Sequence, residues 1–291
     1  MMVHMSAIRE ESLVTEPAVI RRRIGVLVES RYRSQRQPAG VIAALRRRGH
    51  LVTVVDPATH AVDLTDPRWC DSLDLVLCRG RSPAVVALLA MAGSRGVPCI
   101  NVAAAVTLVL NKATAGAALA AAGIPVPPTF VGAPQRLADE ETLRPPMILK
   151  PICGDNAVGL RIVRSREQLL GLDWPEGAAL VQGLVKTDGT DLKLYGAGDQ
   201  VWAVRRDSPI DHTDGARRRG TPTASPALVT PELAELAHRC RAVTGLELYG
   251  VDCAVSPDGP VVIEVNDFPN YTGVEDGDDG LADYVLTRAR G

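Results

Sequence analysis

Residues 261–274 read VVIEVNDFPNYTGV: an apolar strand that ends in an acid, an amide, a second acid and two aromatic side chains. The whole chain holds only two Phe and five Tyr, so this much chemistry at the mouth of one strand asks for a reason other than packing. Glu264 and Asn266 lie two residues apart, and the period of a strand puts them on one face. Just upstream, YGVDCAV (249–255) reads as a second strand, joined to the first by the turn SPDGP (256–260). Antiparallel pairing through that turn brings Asp252 to face the Glu264 and Asn266 pair. Two carboxylates and an amide oxygen form an oxygen-only donor set, which suits magnesium held partly by phosphate rather than zinc or copper. Unpaired acids are costly to bury, so their coincidence in otherwise apolar strands points to function.

Outward from this hairpin the pattern changes. RRRIGVLVES (21–30), LVTVVD (51–56), LDLVLCRG (73–80) and VPCINV (97–102) read as strands, with helices over 38–48 and SPAVVALLAMAGSRG (82–96) between them. That alternation predicts βαβ units on a parallel sheet. A helix-rich stretch follows (103–132), ended by Gly123 and the proline-rich IPVPPT, which neither a helix interior nor a central strand accommodates. PPMILKPICGDNAVGLRIVRS (145–165) reads as strand, glycine-containing loop and strand, REQLLGL (166–172) as a short helix and AALVQGLV (178–185) as another strand. TDLKLYGAGDQVWAVRRDSP (190–209) is a hairpin about a Gly-Ala-Gly-Asp turn, 207–229 a mobile loop, and PELAELAHRCRAVTG (231–245) a helix with Pro in its first turn and Gly at its end. A C-terminal helix covers about 280–290. The expected class is α/β, divided into a loose extension (1–20), an N-terminal α/β domain (21–103), a lid (104–187) and a C-terminal metal and substrate subdomain (188–291).

Composition narrows the function classes. With 46% hydrophobic but only 3% aromatic residues, the core is expected to be Ala, Val and Leu. Lys+Arg 32 against Asp+Glu 34 leaves a net charge of -2 and no global basic field for nucleic acid. Six cysteines without a CxxC or zinc-ligand spacing read as reduced thiols. No stretch is apolar for long enough to span a membrane or serve as a signal peptide. The expectation is a soluble cytoplasmic protein with neither nucleic acid nor membrane as partner.

A second constellation is cationic. Lys150 ends MILK and Lys112 lies in LNKATAG; these are the only lysines before residue 186, in a chain whose other cations there are arginine. Lysine is a compact point charge for phosphate. GDNAVGL (154–160) follows Lys150, and its backbone amides can close over phosphates. It has the order of neither a P-loop nor GxGxxG, so an ordinary hairpin loop is the other reading. In ALVQGLVKTDGTDLKLY (179–195), a strand breaking into Gln-Gly-Leu-Val can present backbone groups to a purine edge, with Leu184 nearby and Lys186 or Asp188 at the sugar. A plain connection between strands is the alternative.

Taken in order, the lysine of NK, the lysine of LKP, a small-residue flap, a strand ending in VQ, DLKLY, YGVD and IEVN resemble the ATP-grasp superfamily over about residues 21–291. The group containing the ribosomal-protein glutamate ligases and the inositol trisphosphate kinases is the most similar, and FPNYTGV is similar to the ending of the latter. The resemblance implies an ATP-grasp fold, with a parallel α/β pre-ATP-grasp lobe before two subdomains that enclose the nucleotide. It implies ATP as co-substrate with magnesium, or manganese in its place. Carried over by residue, Lys112, Lys150, Gly154, Asn156, Gln182, Leu184 and Asp188 contact ATP, and Asp252, Glu264 and Asn266 hold metal. Lys193 and Arg205 face the reacting phosphate or the acceptor as catalytic residues. The hinge reads VQG where many relatives have VQE, and the flap lacks the Ser often found after its first Gly.

The acceptor half decides the reaction. Arg206, Asn270, Tyr271 and Gly273 are the expected substrate residues, with Arg217, Arg218 and Arg219 a basic cluster in the preceding loop; Asp267 is expected to shape the turn or meet solvent. A carboxylate acceptor and an amine make a ligase working through an acyl phosphate; a hydroxyl acceptor makes a kinase; a non-catalytic nucleotide-binding protein is the third class. A polyphosphorylated inositol calls for more lysine and histidine than the site region offers, which favours the ligase, acting on a small acid and an amine. A homodimer is the oligomer considered.

Overall fold

The computed structural model describes residues 20–154, 158–187, 189–208 and 224–289. Asn156, Asp188 and the Arg217–Arg219 cluster therefore lie outside the described residues. Four strands form the N-terminal sheet: β1 (Arg23–Val28), β2 (Leu51–Val55), β3 (Leu75–Arg79) and β4 (Cys99–Ile100), all parallel in the order β2-β1-β3-β4. β3 is buried along its whole length and β1 at all but its first residue, as strands covered by helices on both faces must be. The helix Pro83–Ser94 starts where its sequence says it should, with Pro in the first turn and the Ser82 side chain accepting from Val85 N–H.

β5 (Thr129–Gly132), β6 (Met147–Lys150), β7 (Arg161–Val163) and β8 (Ala179–Gly183) form an antiparallel sheet in the order β5-β8-β6-β7. β9 (Thr190–Ala197), β10 (Gln200–Asp207), β11 (Ala224–Ala227), β12 (Leu248–Ser256) and β13 (Gly259–Asp267) form another, in the order β11-β10-β9-β12-β13. No helix among the described residues is long and apolar enough to cross a membrane.

The segment expected as a lid, 104–187, divides its side chains between two cores. Ala105, Val109 and Leu119, on the helices Ala103–Leu110 and Lys112–Ala121, bury with Leu192, Leu194, Val251 and Val265 of the C-terminal sheet. The separate lid core gathers Leu137, Met147, Leu149, Val163, Trp174 and Val181. Those two helices are apolar enough to be claimed by whichever sheet lies closest, and sequence order does not say which. The C-terminal helix, Gly277–Arg288, likewise returns to the N-terminal lobe, where Leu281, Ala282 and Val285 join Tyr32, Val41 and Leu45. Asn101, fully buried after β4, ties this lobe to β12: its Nδ2 donates to Leu248 O at 2.7 Å, and its Oδ1 accepts from the backbone N–H groups of Glu247 and Leu248 at 2.6 and 2.9 Å.

The β12–β13 hairpin carries one irregularity. Pairing runs from Ser256↔Gly259 to Cys253↔Val262, then resumes at Asp252↔Glu264, leaving Ile263 as an extra residue. Continued without that bulge, the ladder would set Asp252 opposite Ile263 and turn Glu264 and Asn266 to the other face. Across β9 and β12, Gly196 opposes Tyr249, and a Cβ at Gly196 would lie 2.0 Å from the Tyr249 ring, which is fully buried. Gly196→Ala is expected to destabilise the protein by about 3 kcal/mol, the upper range for overpacking a rigid core. The measurement is a urea unfolding midpoint that falls at unchanged m-value; a variant as stable as the parent would show that the ring has room to move.

Candidate active site

A cavity of 430 Å³ opens between the lid sheet and the C-terminal sheet, with the end of β3 closing one side. Small-molecule sites span about 300–1,000 Å³, so it has room for one nucleotide-sized ligand. One end is apolar, lined by Ile148, Leu160, Leu184 and Val185; the floor carries Lys193, Asp252, Glu264 and Asn266; the far end carries Arg79, Arg81, Arg206 and Asn270.

The floor is built by strand register. Asp252 lies opposite Lys193 on β9 and Glu264 on β13. Lys193 Nζ meets Asp252 Oδ1 at 2.5 Å, and Lys112 Nζ meets Glu264 Oε2 at 2.5 Å. Asn266 Nδ2 donates to Glu264 Oε1 at 3.1 Å and, more weakly, toward Asp252 Oδ2 at 3.5 Å. Lys112 opens its helix behind Asn111, whose side chain accepts from the N–H groups of Ala113 and Thr114 at 3.0 Å each. Its own N–H donates to Ile152 O at 2.9 Å, which fixes the lysine to the root of the flap.

Lys150, at the end of β6, is buried, and burial lowers its ammonium to about 8, with the Glu264 carboxylate pulling upward and the Lys112 cation pushing downward. Burial alone would raise the Glu264 carboxyl, but the cations of Lys112 and Lys150, with hydrogen bonds from Lys112 and Asn266, hold it well below the usual carboxylate range. The acid is therefore ionised. Lysine supplies only four of the chain's 32 cationic side chains, yet Lys112, Lys150 and Lys193 all converge on these carboxylates.

The donor set fits magnesium. Among the described residues no group of three or more His, Cys, Asp or Glu could hold a metal; the floor offers two carboxylates, Asp252 and Glu264, with the Asn266 amide beside them, and no complete cage. That is the pattern of a hard cation whose remaining ligands are phosphate oxygens and water.

At the apolar end, Gln182 pairs with Thr129 of β5 on one side and Ile148 of β6 on the other, and its Nε2 donates to Thr129 Oγ1 at 3.1 Å. Leu184 lines the cavity with its side chain while its N–H is engaged by Pro146 O at 3.3 Å. Gly154 is exposed and does not line the cavity.

The acceptor end differs from expectation in four places. Arg205 is exposed, donates to Thr190 Oγ1 at 3.3 Å and stands outside the cavity, whereas Arg206, its neighbour on β10, lines it. The reason is alternation: Arg206 pairs with Asp191 and Val204 with Lys193, so Arg206 shares the Lys193 face and Arg205 takes the opposite one. Tyr271 is fully buried; its Oη donates to Gly196 O at 2.6 Å and its ring packs against Tyr195 and Trp202, with centroids 5.2 and 6.0 Å away. It is a core side chain and no part of the cavity wall. Gly273 adopts φ 86°, where its space is closed by Val204, and serves the turn. Asp267 neither meets solvent nor only shapes the turn: it is 1% exposed and paired with Arg81 at 2.5 Å.

Asn270 does line the cavity, and so do Thr272, Asp191, Arg79 and Arg81, which sequence reasoning had not placed there. Asp191 is pushed above the usual carboxylate range by burial, against the pull of Ser208 and Arg206. Arg79 is buried, stacks 4.0 Å over the Tyr32 ring and donates to Gln35 Oε1 at 3.2 Å. The available signal was the arginine pair in LVLCRGR at the carboxyl end of a parallel strand, the edge where open α/β sheets bind ligands.

Known proteins resemble this chain in sequence and fold. The family described as RimK-like ATP-grasp domain matches residues 109–282. A probable alpha-L-glutamate ligase of Thioalkalivibrio sulfidiphilus is 29% identical over 259 residues, covering 81% of this chain and 84% of that protein. A second, probable alpha-L-glutamate ligase 1 of Hahella chejuensis, is 28% identical over 253 residues, covering 79% and 82%. Among solved structures, the RimK domain ATP-grasp protein of Sphaerobacter thermophilus superposes with a TM-score of 0.71 at 25% identity, covering 91% of this chain and 99% of that one. The ATP-grasp ligase PsnB bound to its minimal precursor shares the fold at a TM-score of 0.70 and 20% identity, covering 93% and 100%. Lys193, Asp252, Glu264 and Asn266 line the cavity while Lys112 and Lys150 stand behind its wall, and with the family match spanning more than half of its residues the chain belongs to the RimK-like ATP-grasp family.

Proposed function

We propose that the chain is an ATP- and magnesium-dependent carboxylate–amine ligase that joins a small acid or amino acid to an amine through an acyl phosphate. The observation that carries it is the convergence of Lys112, Lys150 and Lys193 on Asp252 and Glu264, two acids that line, with Lys193 and Asn266, a cavity also lined by arginines. Relatives named glutamate ligases support the same chemistry. The six free cysteines, five of them buried, support a cytoplasmic setting.

The apolar end suits a purine, and Lys112 and Lys150 suit the phosphates that follow it. Asp252, Glu264 and Asn266 would hold magnesium, or manganese in its place, which when bound neutralises charge on the phosphate oxygens. Lys193, fixed by Asp252 across the strands, then stands beside the transferred phosphoryl group and stabilises the charge that develops there. Arg206 and Arg79 orient the acid so that a carboxylate oxygen attacks the terminal phosphorus and ADP departs. The amine attacks the acyl carbon, phosphate leaves with the electron pair of the broken C–O bond, and the amine nitrogen loses a proton.

Incubation with ATP, magnesium and pools of amino acids, other small acids and amines is expected to release phosphate only when an acid and an amine are both present. Labelled phosphate retained on a stable product would instead make the enzyme a kinase. Lys193→Ala is expected to lower kcat by about 100-fold or more, the scale of losing a charged transition-state contact. Arg206→Ala should lower kcat/KM for the acid by about 10- to 100-fold while Arg205→Ala stays near the parent value, since only the former faces the cavity. Equal losses at both positions would contradict the strand alternation.

Lys150 gives a pH dependence. Its ammonium, lowered by burial to about 8, is present below that pH and lost above it, so affinity for a nonhydrolysable ATP analogue without metal should weaken between about pH 7 and pH 9. Lys150→Arg stays protonated and should flatten the profile. A parent affinity constant over this window would rule out titration of Lys150 there.

A further inference from the structure

One link from the N-terminal lobe to β13 is the side chain of Arg81. Arg81 follows β3, and its backbone is fixed before its side chain begins: the N–H groups of Arg81 and Ser82 both donate to Glu29 Oε1, while Glu29 Oε2 accepts from Arg31 Nε at 2.6 Å. From that base the guanidinium crosses to β13. Its Nε and NH2 donate to Asp267 Oδ1 at 2.6 and 2.5 Å, and its NH2 lies 3.3 Å from Asn266 Oδ1. The pair is deeply buried, with side chains 8% and 1% exposed, and the second oxygen of Asp267 is buried with no hydrogen-bond partner among the described residues. A buried ion pair left incompletely hydrogen-bonded is a weak source of stability. It is a strong source of geometry, because a planar fork fixes the group it holds.

We propose that Arg81 is a positioning residue for the metal site: it anchors on Asp267 and orients the Asn266 amide, so that the N-terminal lobe sets the donor geometry of the C-terminal sheet. The inference rests on the ATP and magnesium reading of the cavity. Nδ2 is directed to Glu264 at 3.1 Å and toward Asp252 at 3.5 Å, Oδ1 accepts from Arg81 at 3.3 Å, and an amide oxygen has a second lone pair for a cation. Removing such outer partners of a metal ligand typically costs about 10- to 100-fold in metal affinity.

The test is calorimetric titration of magnesium into the full-length protein saturated with a nonhydrolysable ATP analogue, alongside the affinity for the analogue in chelator and a thermal melt. Arg81→Lys keeps a cation for Asp267 but has no fork for Asn266. It is expected to fold, to bind the analogue without metal as the parent does, and to bind magnesium about 10-fold more weakly. Asp267→Asn, which removes the anchor and keeps the shape, should shift magnesium affinity in the same direction and serves if the lysine variant does not fold. Parent-like magnesium affinity in a folded variant overturns the proposal, as does an equal loss of analogue affinity without metal, which is what a purely structural tie would produce. If the parent protein itself binds no magnesium with the analogue, the reading of the cavity fails and this inference with it; if the parent binds and the variants match it, only this inference fails.

Discussion

Asp252 and Glu264 meet because the ladder between β12 and β13 slips by one residue at Ile263. Everything at the cavity floor follows from that slip. With Glu264 opposite Asp252, Asn266 two residues on and Lys193 across from Asp252 on β9, four polar groups share one face of a sheet whose other face is packed core. A strand offers only two faces, so an extra residue in the ladder is the least disruptive way to move an acid from one to the other. The bulge lies next to the residues it serves, and beyond it the hairpin is regular down to its turn.

Once the acids share a face, they require cations. For Glu264, burial works against the ionised form and the neighbouring cations work for it. Lys112 and Lys193 each meet one acid, and the buried Lys150 adds a third positive charge close by. These residues reach the floor from different places: the start of a helix, the end of a lid strand and the middle of β9. The choice of lysine in a chain otherwise rich in arginine is consistent, since a compact ammonium fits several to a small volume where planar guanidinium groups would crowd one another.

The arginines do the complementary work at the far end. Arg79, Arg81 and Arg206 arrive from two lobes, and each is braced: Arg79 by the Tyr32 ring, Arg81 by Asp267, and Arg206 by the field of Asp191 opposite it on β9. Asn101 and the returning C-terminal helix hold those lobes together, so the arginine-lined end is built on packed elements, with the β5-β8-β6-β7 sheet at the apolar end. Tyr271 and Phe268 contribute from behind, as core side chains that fix the turn carrying Asn270 to the cavity wall.

Much of this was legible along the chain, wherever the physics is local. Parallel strands announce themselves as apolar runs between helices, and the spacing of Glu264 and Asn266 is the period of one strand. The scarcity of lysine makes Lys112 and Lys150 stand out, whereas the sequence reading pairs Arg205 with Lys193 and the hairpin register puts Arg206 on that face instead. Other features depend on pairings that no local pattern encodes. A regular hairpin through SPDGP would have put Asp252 and Glu264 on opposite faces; only the tertiary register, with Ile263 set aside, brings them together. Arg81 and Asp267 are separated by most of the chain, and their union depends on the packing of one lobe against another. The sequence by itself determined the strands, the donor types and which lysines stand out, because those follow from composition and from neighbours one to four residues away. The tertiary structure decided which face each acid took and which arginine reached β13, because those are settled by contacts between segments that the chain brings together only on folding.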